Sequence, residues 1–154
     1  MAREDTLKFQ ITIGNDKIIF DLSKELAVSG DPNDIADRLK EHAATYAYYS
    51  IKSEEASLLE QKLQHEFDVW LAELYEATKT ALLEQYGKSQ VTERFINNKI
   101  MAEHKDEYQD KRMELLQASF RKRKLAVAQK AVDKHGISLV NLLSYHKKEL
   151  EKLG

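Results

Sequence analysis

Residues 59–81, LEQKLQHEFDVWLAELYEATKTA, place Leu59, Leu63, Phe67, Trp70, Leu74, Ala77 and Ala81 at steps of three or four. That spacing puts all seven on one side of an α-helix, as a nearly heptad-like apolar stripe. Upstream, Ile35, Leu39, Ala43 and Ala47 keep the same period, and Ser29-Gly30-Asp31-Pro32 supplies a start: Asp31 suits an N-cap and Pro32 the first helical turn. A long helix is therefore predicted from Pro32 to Tyr86, where Tyr86-Gly87-Lys88-Ser89 ends it. The polar patch Lys52-Ser53-Glu54-Glu55 interrupts the apolar stripe, and periodicity alone does not decide whether it breaks the helix.

The segment before this helix has a different period. Lys8-Phe9-Gln10-Ile11-Thr12-Ile13 and Lys17-Ile18-Ile19-Phe20-Asp21-Leu22 alternate apolar and polar residues around the turn formers Gly14-Asn15-Asp16. This predicts a β-hairpin over residues 7–22. Two strands alone are marginal in water, so its apolar face must pack on the helices or on another subunit. Residues 1–30 are read as a hairpin arm and 31–154 as a helical domain.

After the mid-chain loop, Ser89 or Thr92 caps a short helix with Phe95, Ile96, Ile100 and Met101 on its apolar side. A further helix is predicted from about Lys105 to His135, with Gly136 at the position just past its end and Ser138 capping a last helix through Leu139, Leu142, Leu143, Leu150 and Leu153. The expected fold is mainly α: a long-helix bundle or coiled coil with a short N-terminal β-hairpin arm, homo-oligomeric.

Composition agrees with this reading and removes several functions. The chain has 154 residues, 32% of them charged, with 5 Gly and 1 Pro, as suits long helices. With no Cys, there is no disulfide framework, thiolate zinc site or Cys nucleophile. No apolar run approaches the roughly 20 residues of a membrane span, and Met1-Ala2-Arg3-Glu4-Asp5 lacks the apolar stretch of an export signal. A soluble, cytoplasmic protein without membrane partners is expected.

The net charge of −2 conceals an asymmetry. Residues 1–86 carry nine Lys/Arg against seventeen Asp/Glu, a balance of −8; residues 87–154 carry fifteen against nine, a balance of +6. The positive charge gathers between Lys111 and Lys134, around Arg121-Lys122-Arg123-Lys124. At 100° per residue Arg112, Arg123, Lys130 and Lys134 fall within roughly 40° of one another, with Lys111 and Lys122 alongside. A polyanion responds to such a local field and not to the sum over the chain. Apolar residues flank the stripe on two arcs, Leu116, Phe120, Val127 and Ala131 on one, Ala118, Leu125 and Val132 on the other. Two arcs predict two packing neighbours, the long helix of the same chain and a second subunit. The same pattern suits the solvated faces of an oligomeric coiled coil, or a stripe neutralised by the acidic first half.

Catalytic chemistry finds no foothold. Gly87-Lys88-Ser89 is not a phosphate loop, because Leu82 stands where the first Gly is required. His42, His65, His104, His135 and His146 form neither His-Glu-x-x-His nor Glu-x-x-His, so zincin and di-iron spacings are missing. Glu103, His104, Glu107 and Asp110 read as a solvated helix face. No catalytic, metal or cofactor site is expected. Tyr46, Tyr48 and Tyr49 suit either base stacking or a core edge, and Trp70 reads as core.

Several short features occur in a familiar order: Ala47-Tyr48-Tyr49-Ser50, Gly87-Lys88 with Val91-Thr92-Glu93 and Ile96, Asp106-Glu107-Tyr108, then Arg121 to Lys124 followed by Val140-Asn141-Leu142-Leu143. Over residues 33–153 this resembles the phage UvsY family of recombination mediator proteins. The resemblance implies a small helical homo-oligomer that binds single-stranded DNA without sequence preference. It also implies partners: a RecA-like recombinase, loaded onto DNA covered by single-strand binding protein, in the host cytoplasm. Family members carry basic residues near the end of the first long helix, where this chain offers Lys79 and Lys88 but has Ala81 and Leu82 between them. With the stripe, the expected DNA-binding set is Lys79, Lys88, Lys111, Arg112, Arg121, Lys122, Arg123, Lys124, Lys130 and Lys134. The alternative is a structural or adaptor protein that docks another protein through its charged faces.

Overall fold

The computed structural model describes residues 7–13 and 15–153. Gly14 of the expected turn and the leading Met1-Ala2-Arg3-Glu4-Asp5 lie outside the described residues. The element order is β1 (Lys8–Ile13), β2 (Asp16–Asp21), α1 (Leu22–Glu25), α2 (Pro32–Tyr86), α3 (Glu93–Glu103) and α4 (Lys105–Leu153). The protein is mainly helical, with a single antiparallel hairpin among the described residues.

Local chemistry accounts for the ends of the elements. The Asp31 carboxylate accepts from the Asn33 amide at 2.9 Å, so Asp31 is the N-cap and Pro32 the first residue of α2. From there to Tyr86 the chain holds no Gly and no further Pro, and the helix runs unbroken for 55 residues. It passes straight through the polar patch, where Lys52 and Glu55 pair at 2.7 Å. Gly87 ends it in the left-handed region, φ 77°, with its amide donating to Leu83 O at 3.1 Å. Thr92, not Ser89, caps α3: its hydroxyl accepts from the Phe95 amide at 3.2 Å.

The chain divides into two compact units, Met1–Ser57 with Arg121–Gly154, and Leu58–Phe120. In the first, β1 and β2 pair in the register Phe9↔Phe20 and Ile11↔Ile18, extended by the Leu22 amide donating to Leu7 O at 2.9 Å. Alternation then sends Ile11, Phe20 and Leu22 inward, where they pack with Tyr49 and Ala56 of α2 and Leu125, Ala128 and Val132 of α4. The hairpin thus packs on the helices of its own chain. Phe20 lies 5.1 Å from Phe9 and 5.3 Å from Tyr49 between ring centroids. Burial, with the charges of Glu25 and Asp21 near the ring, pushes the Tyr49 phenol up to about 12.

In the second unit Leu82, Ile96 and Ile100 form the buried cluster, bordered by Leu74, Tyr75, Val91 and Phe95. Phe67 is buried with its ring 5.5 Å from Tyr108 and 5.9 Å from Trp70. Trp70 itself is only half-buried.

One expectation fails. The helix predicted to stop at His135 continues to Leu153, and Gly136 is an ordinary helical residue without positive φ. Ser138 does not cap a new helix; its hydroxyl donates back to Lys134 O at 3.1 Å. Of the two apolar arcs on this helix, Ala118, Leu125 and Val132 are buried, whereas Leu116, Phe120 and Val127 are 56%, 59% and 67% exposed. Leu125 and Val132 pack against both the hairpin and α2, and Leu116 and Val127 of the other arc are exposed.

Candidate nucleic-acid interface

The ten expected basic residues fall in both units: Lys79, Lys88, Lys111 and Arg112 in the second, and Arg121, Lys122, Arg123, Lys124, Lys130 and Lys134 in the first. Successive residues of a helix stand 100° apart, so the run Arg121-Lys122-Arg123-Lys124 is distributed around α4. Only Arg123 of the four is exposed. Lys124 reaches over the hairpin, its ammonium 5.5 Å from the Phe9 ring centroid. Arg121 and Lys122 are half-buried.

In the first unit the structure brings together Arg123, Lys130 and Lys134. All three are exposed and share one face of α4, opposite the buried Leu125, Ala128 and Val132. Steps of seven and four residues keep them in line, and a 1.5 Å rise per residue spreads them over roughly 16 Å. Among the described residues no ion pair engages any of the three. Their charge is therefore left to solvent ions or to an anionic ligand.

The basic residues of the second unit are more compromised. Lys111 stands over Trp70, its ammonium 5.3 Å from the ring centroid. Arg112 is exposed, but the open groove of about 480 Å³ that it lines also holds Glu60 and Asp68. Lys79 lies 3.6 Å from a Glu76 oxygen and 5.9 Å from the Tyr75 ring centroid. Lys88 is exposed in the loop after Gly87.

The tyrosines separate as well. Tyr49 is core, whereas Tyr46 and Tyr48 are 37% and 44% exposed. Gln129, on the residue before Lys130, donates through Nε2 to Ser50 Oγ at 2.9 Å and stands 3.5 Å from the Tyr46 hydroxyl. Sequence reasoning missed this cross-helix network, because a glutamine outside any apolar stripe carries no positional signal.

It also missed the setting of Gly136. A small cleft lined by Glu25, Arg38, Glu41, His42, Val132 and His135 lies beside it. Burial, then the positive charge of Arg38 and the neighbouring His42, holds the His135 imidazole below its ordinary value. An isolated glycine inside a helical pattern was the available signal for a close helix contact.

Among the described residues no group of three or more His, Asp or Glu is placed to hold a metal ion, and no helix is long and apolar enough to cross a membrane. Compared with known proteins, the chain matches no family model, no curated protein and no solved structure.

Proposed function

We propose that this protein is a non-catalytic, single-stranded DNA-binding recombination mediator, which helps load a RecA-like recombinase onto DNA covered by single-strand binding protein. One observation carries the DNA-binding part: Arg123, Lys130 and Lys134 share an exposed face of α4 without carboxylate partners among the described residues. The mediator role and the cytoplasmic setting in a host cell rest on the sequence resemblance. A homo-oligomer is part of the reading, supported by the exposed apolar Leu116 and Val127. Several copies of a three-cation face bind a flexible strand tightly while each contact stays exchangeable, which suits a protein that hands the strand on.

Fluorescence anisotropy of a labelled single-stranded oligonucleotide, titrated across a salt series, tests this. Single-strand binding falls with salt at a log-log slope of about −0.7 per phosphate neutralised, so replacing Arg123, Lys130 and Lys134 by Ala flattens the slope by about 2 per protomer engaged. A folded triple variant with unchanged affinity and slope rules out this face.

Exposed Leu116 and Val127 also favour a second reading, an oligomeric adaptor that docks another protein. Absence of oligonucleotide binding at low salt selects it.

A further inference from the structure

Tyr46 occupies an unusual position for an aromatic residue of this unit. Phe20 and Tyr49 are buried in the core beneath the hairpin, whereas Tyr46 remains 37% exposed. It is nonetheless held in place from two sides. Its hydroxyl lies 3.5 Å from Gln129 Nε2, and the same Nε2 donates to Ser50 Oγ at 2.9 Å. Ser50 in turn donates to the Tyr46 carbonyl oxygen at 2.9 Å, and the His42 ring, one turn back, lies 6.4 Å away at 31° to the phenol ring. An exposed aromatic ring normally pays rotamer entropy when it binds a ligand; the Gln129 contact and the His42 ring restrict this one in advance.

Its neighbourhood on α4 gives the ring a ligand class. Gln129 is followed directly by Lys130, so the tethered phenol lies one residue's rotation, about 100°, from the exposed cationic face. Lys122 precedes Gln129 by seven residues, on nearly the same side of the helix. Because the Gln129 amide uses its nitrogen for both contacts, Oε1 is left as an acceptor for an N–H group. An oriented aromatic ring, an amide acceptor and cations to one side match a nucleotide, with the phosphate on the cations and the base on the ring.

We propose that Tyr46, its hydroxyl held beside the Gln129 amide, is a base-stacking position for single-stranded nucleic acid lying along the Arg123, Lys130 and Lys134 face. This rests on the DNA-binding reading above and adds to it the residue that meets the bases. Stacking and phosphate contacts differ in their response to salt: cations release counterions, and a ring stacked on a base does not.

The test compares wild type, Tyr46→Leu, Tyr46→Phe and Lys130→Ala by anisotropy across a salt series, on an ordinary labelled oligonucleotide and on one with an abasic backbone. Thermal denaturation confirms that each variant is folded, and Gln129→Ala, which releases the tether but leaves the ring, serves as a second probe. Tyr46→Leu is expected to weaken binding roughly tenfold at every salt concentration with the slope unchanged. Tyr46→Phe retains most of the affinity, and Gln129→Ala falls between the two. Lys130→Ala flattens the slope by about 0.7. On the abasic strand wild type and Tyr46→Leu bind alike. Equal binding of wild type and Tyr46→Leu to the ordinary strand overturns the proposal, as does a loss that persists on the abasic strand, and both leave the phosphate face standing. No binding by wild type at low salt removes the DNA-binding reading itself, and this proposal with it.

Discussion

A Cβ built on Gly136 stands 2.1 Å from Nε2 of His42, so the imidazole of α2 occupies the space that any side chain at position 136 of α4 requires. Elsewhere in an exposed helix, replacing Gly by Ala stabilises by about 1 kcal/mol. Here the displaced ring is half-buried, in the cleft with Arg38 and His135. Gly136→Ala is expected to destabilise by about 1–3 kcal/mol, as overpacking does. His42→Ala in the same background removes the clash and lets the helical gain appear. Urea denaturation of the four proteins in this cycle measures the coupling; additivity within about 0.5 kcal/mol refutes the contact.

The neighbouring His135 makes stability depend on pH. Its folded value is lowered from 6.5, so the unfolded chain binds the proton first. The sign follows: stability is full above about pH 6.5 and falls as the pH drops through the unfolded and then the folded value. Arg38 and His42 act in this direction, and Glu25 and Glu41 line the same cleft. His135→Gln is expected to reduce the fall in melting temperature between about pH 7.5 and 5. Proton NMR titration of the imidazole gives an independent check, and a value above that of an unstructured histidine contradicts the burial argument.

Adjacent residues of β2 have opposite fates. Phe20 is 1% exposed and Ile19 75%. Phe20→Ala is expected to cost about 3–5 kcal/mol, whereas Ile19→Ala stays within about 0.5 kcal/mol. The denaturation midpoint followed by far-UV circular dichroism separates the two; similar losses at both positions mean that the hairpin does not pack as described.

The start of α3 rests on one hydroxyl. Thr92 Oγ1 accepts from the Phe95 amide, and Thr92→Ala leaves that donor without its cap. A loss of about 1 kcal/mol is expected, with Thr92→Ser near wild type. Ser89→Ala, which removes the other hydroxyl suggested by the sequence, is expected to be neutral.

Part of the architecture was legible because single residues dictate local conformation. Asp31-Pro32 opens α2, Gly87 closes it and Thr92 caps α3, and each was readable from its own chemistry: a carboxylate that accepts from free amides, a ring that fixes φ, a missing Cβ that permits φ 77°. Alternation at residues 8–13 and 17–22 likewise specified the hairpin and its inward face. The candidate site was less legible. The stripe of Arg123, Lys130 and Lys134 followed from helical geometry, but that Lys111 and Lys124 spend their charge over Trp70 and Phe9 did not.

By itself, then, the sequence determined which segments are helix or strand, where most of them begin and end, and which side of each is apolar, because these depend on residues within a turn or two of one another. Only the tertiary structure decided that Gly136 seats a histidine instead of ending a helix, and that Leu125 and Val132 of α4 are buried while Leu116 and Val127 are exposed. It likewise decided that Tyr46 is tethered at the surface while Tyr49 is sealed in the core. Each of these depends on an atom brought from far along the chain, or on the lack of one, and local periodicity has no term for a neighbour so distant in sequence.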